Sequence, residues 1–421
     1  MDRERALAGR TVVVRGGRIA ALGPAGEVRI PVGARRVDGR GKFLLPGLVD
    51  GHAHIAAGEG TPADEAGRQL ALSLANGVTL LRGMGMPPQA AAGALALRER
   101  IRRGEVLGPT LVLSAPSIHA RNTTTPEQAR QRVREAKAAG FDFLKTHGGF
   151  SADIHDALAS EARAVGLPLA GHVTASVGLD RAMAAGQQVE HLDGVLAKLT
   201  RAGAPVPDGQ MIVDSAALAN VDTTRLPELA REMARRPLYN GPTLAVFENL
   251  WSDEPTHGLA ARAEMRYVSP RVAQQWSRQR SEMAGDASAE GRRRFLALRR
   301  QIVRVLDRAG VPMMAGSDSP QLFMVPGFAV HRELQALVAV GLTPYAALRT
   351  ATVTPVEYLG MRDRGTVAVG QRADLVLVDA DPLADIRNAQ RVAGVVVGGR
   401  WLPAEWLQAS LAEVARVLRP E

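Results

Sequence analysis

Cysteine is absent from the 421 residues. That excludes disulfides, thiolate metal sites and a cysteine nucleophile. Aromatic residues make up only 4% of the chain, and no block of five or more like charges occurs. A nucleic-acid surface built from basic runs interleaved with stacking rings is therefore not expected, although 52 basic against 43 acidic residues give a net charge of +9. No run of 18 uninterrupted apolar residues exists, so no membrane span is expected. The N-terminal residues MDRERALAGRTVVVRGGR lack the apolar stretch of a secretory signal. A cytoplasmic location is the expectation, and a trimmed mature form would look the same. Lysine is scarce as well. Only Lys42, Lys137, Lys145 and Lys198 occur, and the rest of the positive charge is arginine. Arginine keeps its proton, whereas lysine can lose it and react, so each lysine carries more weight here than usual.

What is present is an ordinary globular composition, 46% apolar and 23% charged. The first 45 or so residues are strand-like, with Thr11–Val14 and Arg18–Leu22 flanking a Gly16-Gly17 hairpin signal. Gly365–Val369, Asp374–Val378 and Val392–Val397 repeat that character near the other end. One small β-sandwich-like domain, made from residues 1–46 and 357–421 together, is predicted. Between them, over residues 47–356, short apolar runs alternate with alanine-rich amphipathic stretches such as Pro126–Ala139. The runs are Leu48–Val49, Val78–Leu81, Thr110–Leu113, Phe141–Leu144, Leu167–Ala170, Gln187–Val189, Thr243–Phe247 and Val311–Ala315. Such alternation predicts an α/β fold, a parallel (β/α)8 TIM-like barrel. A doubly wound sheet is the alternative, but no glycine-rich phosphate loop follows a strand. Residues 248–300 are polar and arginine-rich and read as a helical insertion near the barrel mouth, a lid, a subunit contact or simply solvated helix.

Barrel chemistry sits at the C-terminal ends of the strands. The first run leads into Asp50-Gly51-His52-Ala53-His54, where i and i+2 place both imidazoles on one face. The fourth leads into Lys145-Thr146-His147, the fifth into His172, the sixth into His191 and the eighth into Asp318. The chain has nine histidines. Histidine and aspartate at several strand exits together form a ligand set for zinc or a similar cation. His119 and Arg121 follow the third run and could meet a substrate carboxylate. Tyr239, at the head of YNGPTLAVF, is a candidate donor to a developing oxyanion.

The segments FLLPGLVDGHAHI, FDFLKTHGGFS, LPLAGHV, VEHLDG and MMAGSDSP resemble the amidohydrolase superfamily, in its imidazolonepropionase-like and prolidase-like branch. The tail HRELQALVAVGLTPYAALRTATVTPVEYLG is similar to the family's closing stretch. The resemblance implies a distorted barrel carrying a binuclear metal site, with zinc the expected ion. His52, His54 and Asp318 would hold the more buried ion, and His172 and His191 the more exposed one. Lys145 matches the lysine that becomes N6-carboxylysine and bridges both. Two close divalent cations need bridging anions, which a carbamate supplies and an arginine could not. Asp318 would serve as proton acceptor. His147, two residues after Lys145 and so on the same face, either contacts the substrate or stands behind the ligands. The resemblance further implies a small-molecule substrate, a carboxylate-bearing peptide or amide, as in Xaa-Pro, Xaa-Arg/Lys and ochratoxin-hydrolysing relatives. A homo-oligomer is expected, and the composition points to no nucleic-acid and no membrane partner. Cyclic-amide, lactone and phosphotriester hydrolysis remain alternatives with the same site, and a non-enzymatic binding protein is the alternative from another class.

Overall fold

The computed structural model describes residues 4–61, 63–206, 213–236 and 238–419. Gly16 and Gly17 both adopt positive φ, as a tight hairpin turn requires, and join Arg10–Arg15 to Arg18–Pro24. Phe43–Pro46 then pairs antiparallel with Leu375–Val378, which pairs with Val392–Val397, which pairs with Arg400–Pro403. Strands from both ends of the sequence thus share one small antiparallel sheet. The hairpin attaches to it through Ile19 N donating to Gln371 O. Gly365–Val369, expected as a strand, is irregular, and a helix, Ala404–Leu418, follows the last strand.

The middle of the chain closes into a barrel. Leu48–Ala53, Val78–Gly83 and Thr110–Leu113 pair in parallel. Leu144–Gly148, Leu169–Gly171, Gln188–Glu190 and Asn240–Gly241 form the next parallel run. A bridge between Ser114 and Phe143 joins the two sheets. Residues 313–319 complete the ring. Met314 N donates to Asn240 O on one side, and Gly51 N donates to Ala315 O on the other. Every strand exit therefore opens at the same end. Helices cover the outside, of which Pro126–Ala138 is representative. Thr125 caps its first turn, Pro126 opens it, and Ala129, Val133 and Ala136 face the core.

One strand lies elsewhere than expected. The seventh is Asn240–Gly241, and Thr243–Phe247 belongs to a turn and to the buried helix Leu244–Trp251. A short apolar run of this kind fits a core strand and a buried helix equally. A distant residue decides it. Glu333 accepts hydrogen bonds from Leu244 N (2.9 Å) and Ala245 N (2.8 Å), capping the helix from another element. Burial pushes the Glu333 carboxyl up to about 7 from an ordinary 4.5. Between those values the folded chain holds a proton that the unfolded chain has released. This group's contribution is therefore full below pH 4.5 and lost as pH rises through 7. Replacing Glu333 with glutamine should flatten the decline in stability between pH 5 and pH 8, by about 3 kcal/mol at most. Denaturant unfolding of both proteins across that range reads the difference.

Residues 248–300 are largely helical. The last helix of the excursion, Ala289–Arg308, sinks Phe295, Leu296, Ile302, Val303 and Leu306 into the main core. Its Arg299 is buried, 3.7 Å from the Phe247 ring centroid. Nη1 of Arg299 donates to His191 O and Nη2 to Pro242 O, both at 2.7 Å. Among the described residues no helix is long and apolar enough to cross a membrane.

Candidate metal centre

Five histidine rings form a continuous arc across the strand exits. His54 lies 5.6 Å from His52, His52 lies 4.7 Å from His191, His191 lies 4.8 Å from His172, and His172 lies 4.7 Å from His147. Asp318 closes the arc. Its Oδ1 is 2.9 Å from His54 Nε2 and 3.3 Å from His52 Nε2. Ligand atoms of His52, His54 and Asp318 all fall within 4.8 Å of one another, a set that one cation can engage with small adjustments.

Local backbone strain helps to aim these side chains. His191 (φ 60°), Thr243 (φ 46°) and Asp318 (φ 55°) occupy the left-handed region that non-glycine residues avoid. Such conformations persist only where the surroundings over-determine them. Here, Asp318 N donates to His52 O, His191 N donates to Gly241 O, and Arg299 holds the His191 carbonyl. Gly316 is required beside them, because a Cβ there would sit 2.5 Å from the Cβ of His52.

Three of the five rings are oriented from behind. His52 Nδ1 is 2.8 Å from Glu190 Oε2, His172 Nδ1 is 2.9 Å from Asp193 Oδ2, and His191 Nδ1 is 2.7 Å from Thr243 Oγ1. Partners of this kind fix ring direction in metal sites. Asp50, just before the paired histidines, accepts from Ser317 N, Ser317 Oγ and His52 N. It ties the first strand to the turn that carries Asp318. Burial pushes Asp50 up to about 6. Burial also lowers His52 to about 4 and holds His191 well below the usual histidine range. Burial raises Glu190 and Asp318, but the adjoining histidines outweigh it, and with Arg82 they take Glu190 down to about 2.

Lys145 is only 1% exposed, and its Nζ has no hydrogen-bond partner among the described residues. Burial lowers its pKa, against the opposing pull of Glu190 and Asp318. A solitary buried amine is costly unless some group completes it. A carboxylated amine facing two cations would be complete, so the residues present fit the group that the sequence resemblance implies.

The sequence-predicted residues divide as follows. His52, His54, His172, His191, His147 and Asp318 come together, with Lys145 buried close enough to feel Glu190 and Asp318. His119 sits behind His147, turned toward Asn122, whose Nδ2 is 3.3 Å from its Nε2. Arg121 lies exposed in the following turn. Tyr239 does not join the cluster. It precedes the seventh strand, level with Gln188 and so three residues, about 10 Å, below His191. Its ring packs 5.0 Å from that of Tyr358. The earlier position of the seventh strand accounts for this placement. Sequence reasoning assigned no role to Glu190 and Asp193, although both lie in the quoted VEHLDG segment. It also missed Thr243, Arg82 and Arg299.

A sequence profile of the Amidohydrolase family matches residues 43–402. Adenine deaminase 3 of Rhizobium meliloti (strain 1021) is 24% identical over 383 residues, 88% of this chain and 51% of that protein. The chain thus spans about half the length of that relative. Imidazolonepropionase of Rubrobacter xylanophilus (strain DSM 9941) is 26% identical over 428 aligned residues, 93% of this chain and 91% of that protein. Among solved structures, bottromycin amidohydrolase superposes with a TM-score of 0.71 at 22% identity, covering 97% of this chain and 86% of the other. A Xaa-Pro dipeptidase with bound methionine superposes with a TM-score of 0.68 at 19% identity, covering 96% and 97%. At those identities the two structures speak to the fold alone.

Proposed function

The chain belongs to the amidohydrolase family, and from that premise we propose that it hydrolyses the C–N bond of a dipeptide or an N-acyl or aryl-amide amino acid. The observation that carries the reading is the unpartnered Lys145 Nζ, buried among carboxylates beside the arc of imidazoles. His52, His54 and Asp318 would hold one divalent ion, probed first as zinc, and His172 and His191 a second. Lys145 would bridge them as a carbamate, its amine adding to carbon dioxide as an N–C bond forms and a proton leaves nitrogen. Bound there, the ions would lower the pKa of water and polarise the scissile carbonyl.

The residues of the chain supply the remainder. The Asp318 carboxylate takes the attacking water's proton and delivers it to the leaving nitrogen. His54 beside it, 40% exposed in its side chain, keeps that carboxylate oriented. His147, exposed and edge-on to the His172 ring, faces the substrate. His119 and Arg121 would meet a substrate carboxylate.

A second reading has its own support, since the relatives include adenine deaminases at 24–28% identity over most of this chain. Hydrolytic loss of an amino group from a purine breaks a C–N bond with the same donor set. A screen separates the two. The zinc-loaded protein is offered dipeptides, N-acyl and aryl-amide amino acids, cyclic amides, lactones, phosphotriesters and adenine. Turnover of carboxylate-bearing amides is the expected result. Ammonia release from adenine, with every amide untouched, would overturn it in favour of the second reading.

A further inference from the structure

Arg82, on the second barrel strand, is completely buried directly beneath the histidine arc. Its guanidinium lies 4.3 Å from the ring centroid of Phe143 and 5.1 Å from that of Tyr358. Nη1 donates to Gly51 O (3.0 Å) and to Glu190 Oε1 (2.9 Å), and Nη2 donates to Gln188 Oε1 (2.8 Å). Glu190 is buried too, and its other oxygen faces His52 Nδ1 at 2.8 Å. Gly241 backs that oxygen so closely that a Cβ would sit 2.1 Å from it. The carboxylate is therefore confined, with one oxygen for Arg82 and one for His52.

We propose that Arg82 is a positioning residue which, through Glu190, dictates which nitrogen of His52 carries the proton and so keeps Nε2 open toward a cation. The inference rests on the reading of His52 as a metal ligand. Its logic is one of donors and acceptors. A guanidinium only donates, so the oxygen facing Arg82 must accept. A carboxylate engaged in this way accepts at its second oxygen as well, so His52 Nδ1 must donate. A neutral imidazole has one N–H, which leaves Nε2 bare. Nε2 is the His52 atom without a hydrogen-bond partner among the described residues. A bare nitrogen is what a metal ion needs. Asp318 Oδ1 stands 3.3 Å from Nε2 and competes for the same proton, so it is the closer 2.8 Å contact to the Glu190 oxygen, in the carboxylate that Arg82 holds, that settles its place.

The arrangement predicts an inversion. In Glu190→Gln the amide oxygen must turn to Arg82, because Arg82 can only donate. The NH2 group then donates to His52 Nδ1, and the imidazole proton moves to Nε2. Long-range 15N–1H NMR on metal-free protein labelled at histidine distinguishes the tautomers. His52 should read Nδ1–H in the native protein and Nε2–H in E190Q. Zinc titration should show one site weakened by about 10- to 100-fold in E190Q. The double variant R82M/E190Q carries neither buried charge and serves as the fold-tolerant partner. With nothing to orient the amide, Nδ1–H signal should return.

Three results would each overturn the proposal: a native His52 protonated at Nε2 or at both nitrogens, an E190Q protein that keeps Nδ1–H, or a double variant locked as Nε2–H. The tautomers are read without metal, so they stand apart from the functional reading. Expected tautomers with no zinc uptake by the native protein would instead sink the assignment of the site.

Discussion

Asp318→Ala should lower kcat by about a thousandfold or more while leaving the far-UV circular dichroism spectrum unchanged. The carboxylate touches both His54 and His52, and it is the acidic member of the compact donor set. Under the proposed mechanism its removal takes away an anion from the site and the proton acceptor at once. The loss should fall on kcat and kcat/KM together, because the group acts on the reacting atoms rather than on remote parts of the substrate. Asp318→Asn separates the two roles. It keeps an oxygen near His54 but cannot take the proton, so zinc content should suffer less than turnover. Steady-state kinetics with metal analysis on both variants checks this. Activity above a tenth of native in the alanine variant would remove Asp318 from the centre of the chemistry.

Lys145→Ala should cost the protein one or both ions, from about two per chain to one or fewer by elemental analysis. The native side chain is enclosed and its Nζ has no hydrogen-bond partner among the described residues, so alanine would leave space where a small carboxylate could stand in for the proposed carbamate. Formate or acetate should then restore part of the metal content and part of the activity. Reconstitution of the native apoprotein should proceed further with added bicarbonate than under carbon dioxide-free conditions. A variant that binds two ions as tightly as the native chain would leave Lys145 no bridging role.

Much of this site was legible in the sequence, and for a physical reason. Histidine and lysine are scarce here, so their arrival directly after apolar runs stood out at positions 52, 54, 145, 172 and 191. The barrel followed from the alternation, and the shared terminal sheet from two β-rich ends. The residues behind the ligands were not legible. Glu190 belongs to a chain with 43 acidic residues, and Arg82 and Arg299 to one whose positive charge is mostly arginine. Nothing local marks one of many as buried. Each draws its meaning from a partner far along the chain, as Glu190 does from His52 at a separation of 138 residues. The run at 243–247 failed for the same reason, since the carboxylate that makes it helical stands at Glu333. Tyr239 then followed the misplaced strand.

The guanidinium of Arg299 links two regions that look independent on paper. One is a long polar excursion, and the other is the tight bend from which His191 emerges. The Ala289–Arg308 cylinder meets that bend twice, through the guanidinium and through Phe295, which packs on Phe247 and so against the His191 ring. A neighbouring molecule or an engineered graft resting on the outer surface of this excursion would therefore press on a helix that is braced directly against the candidate metal centre.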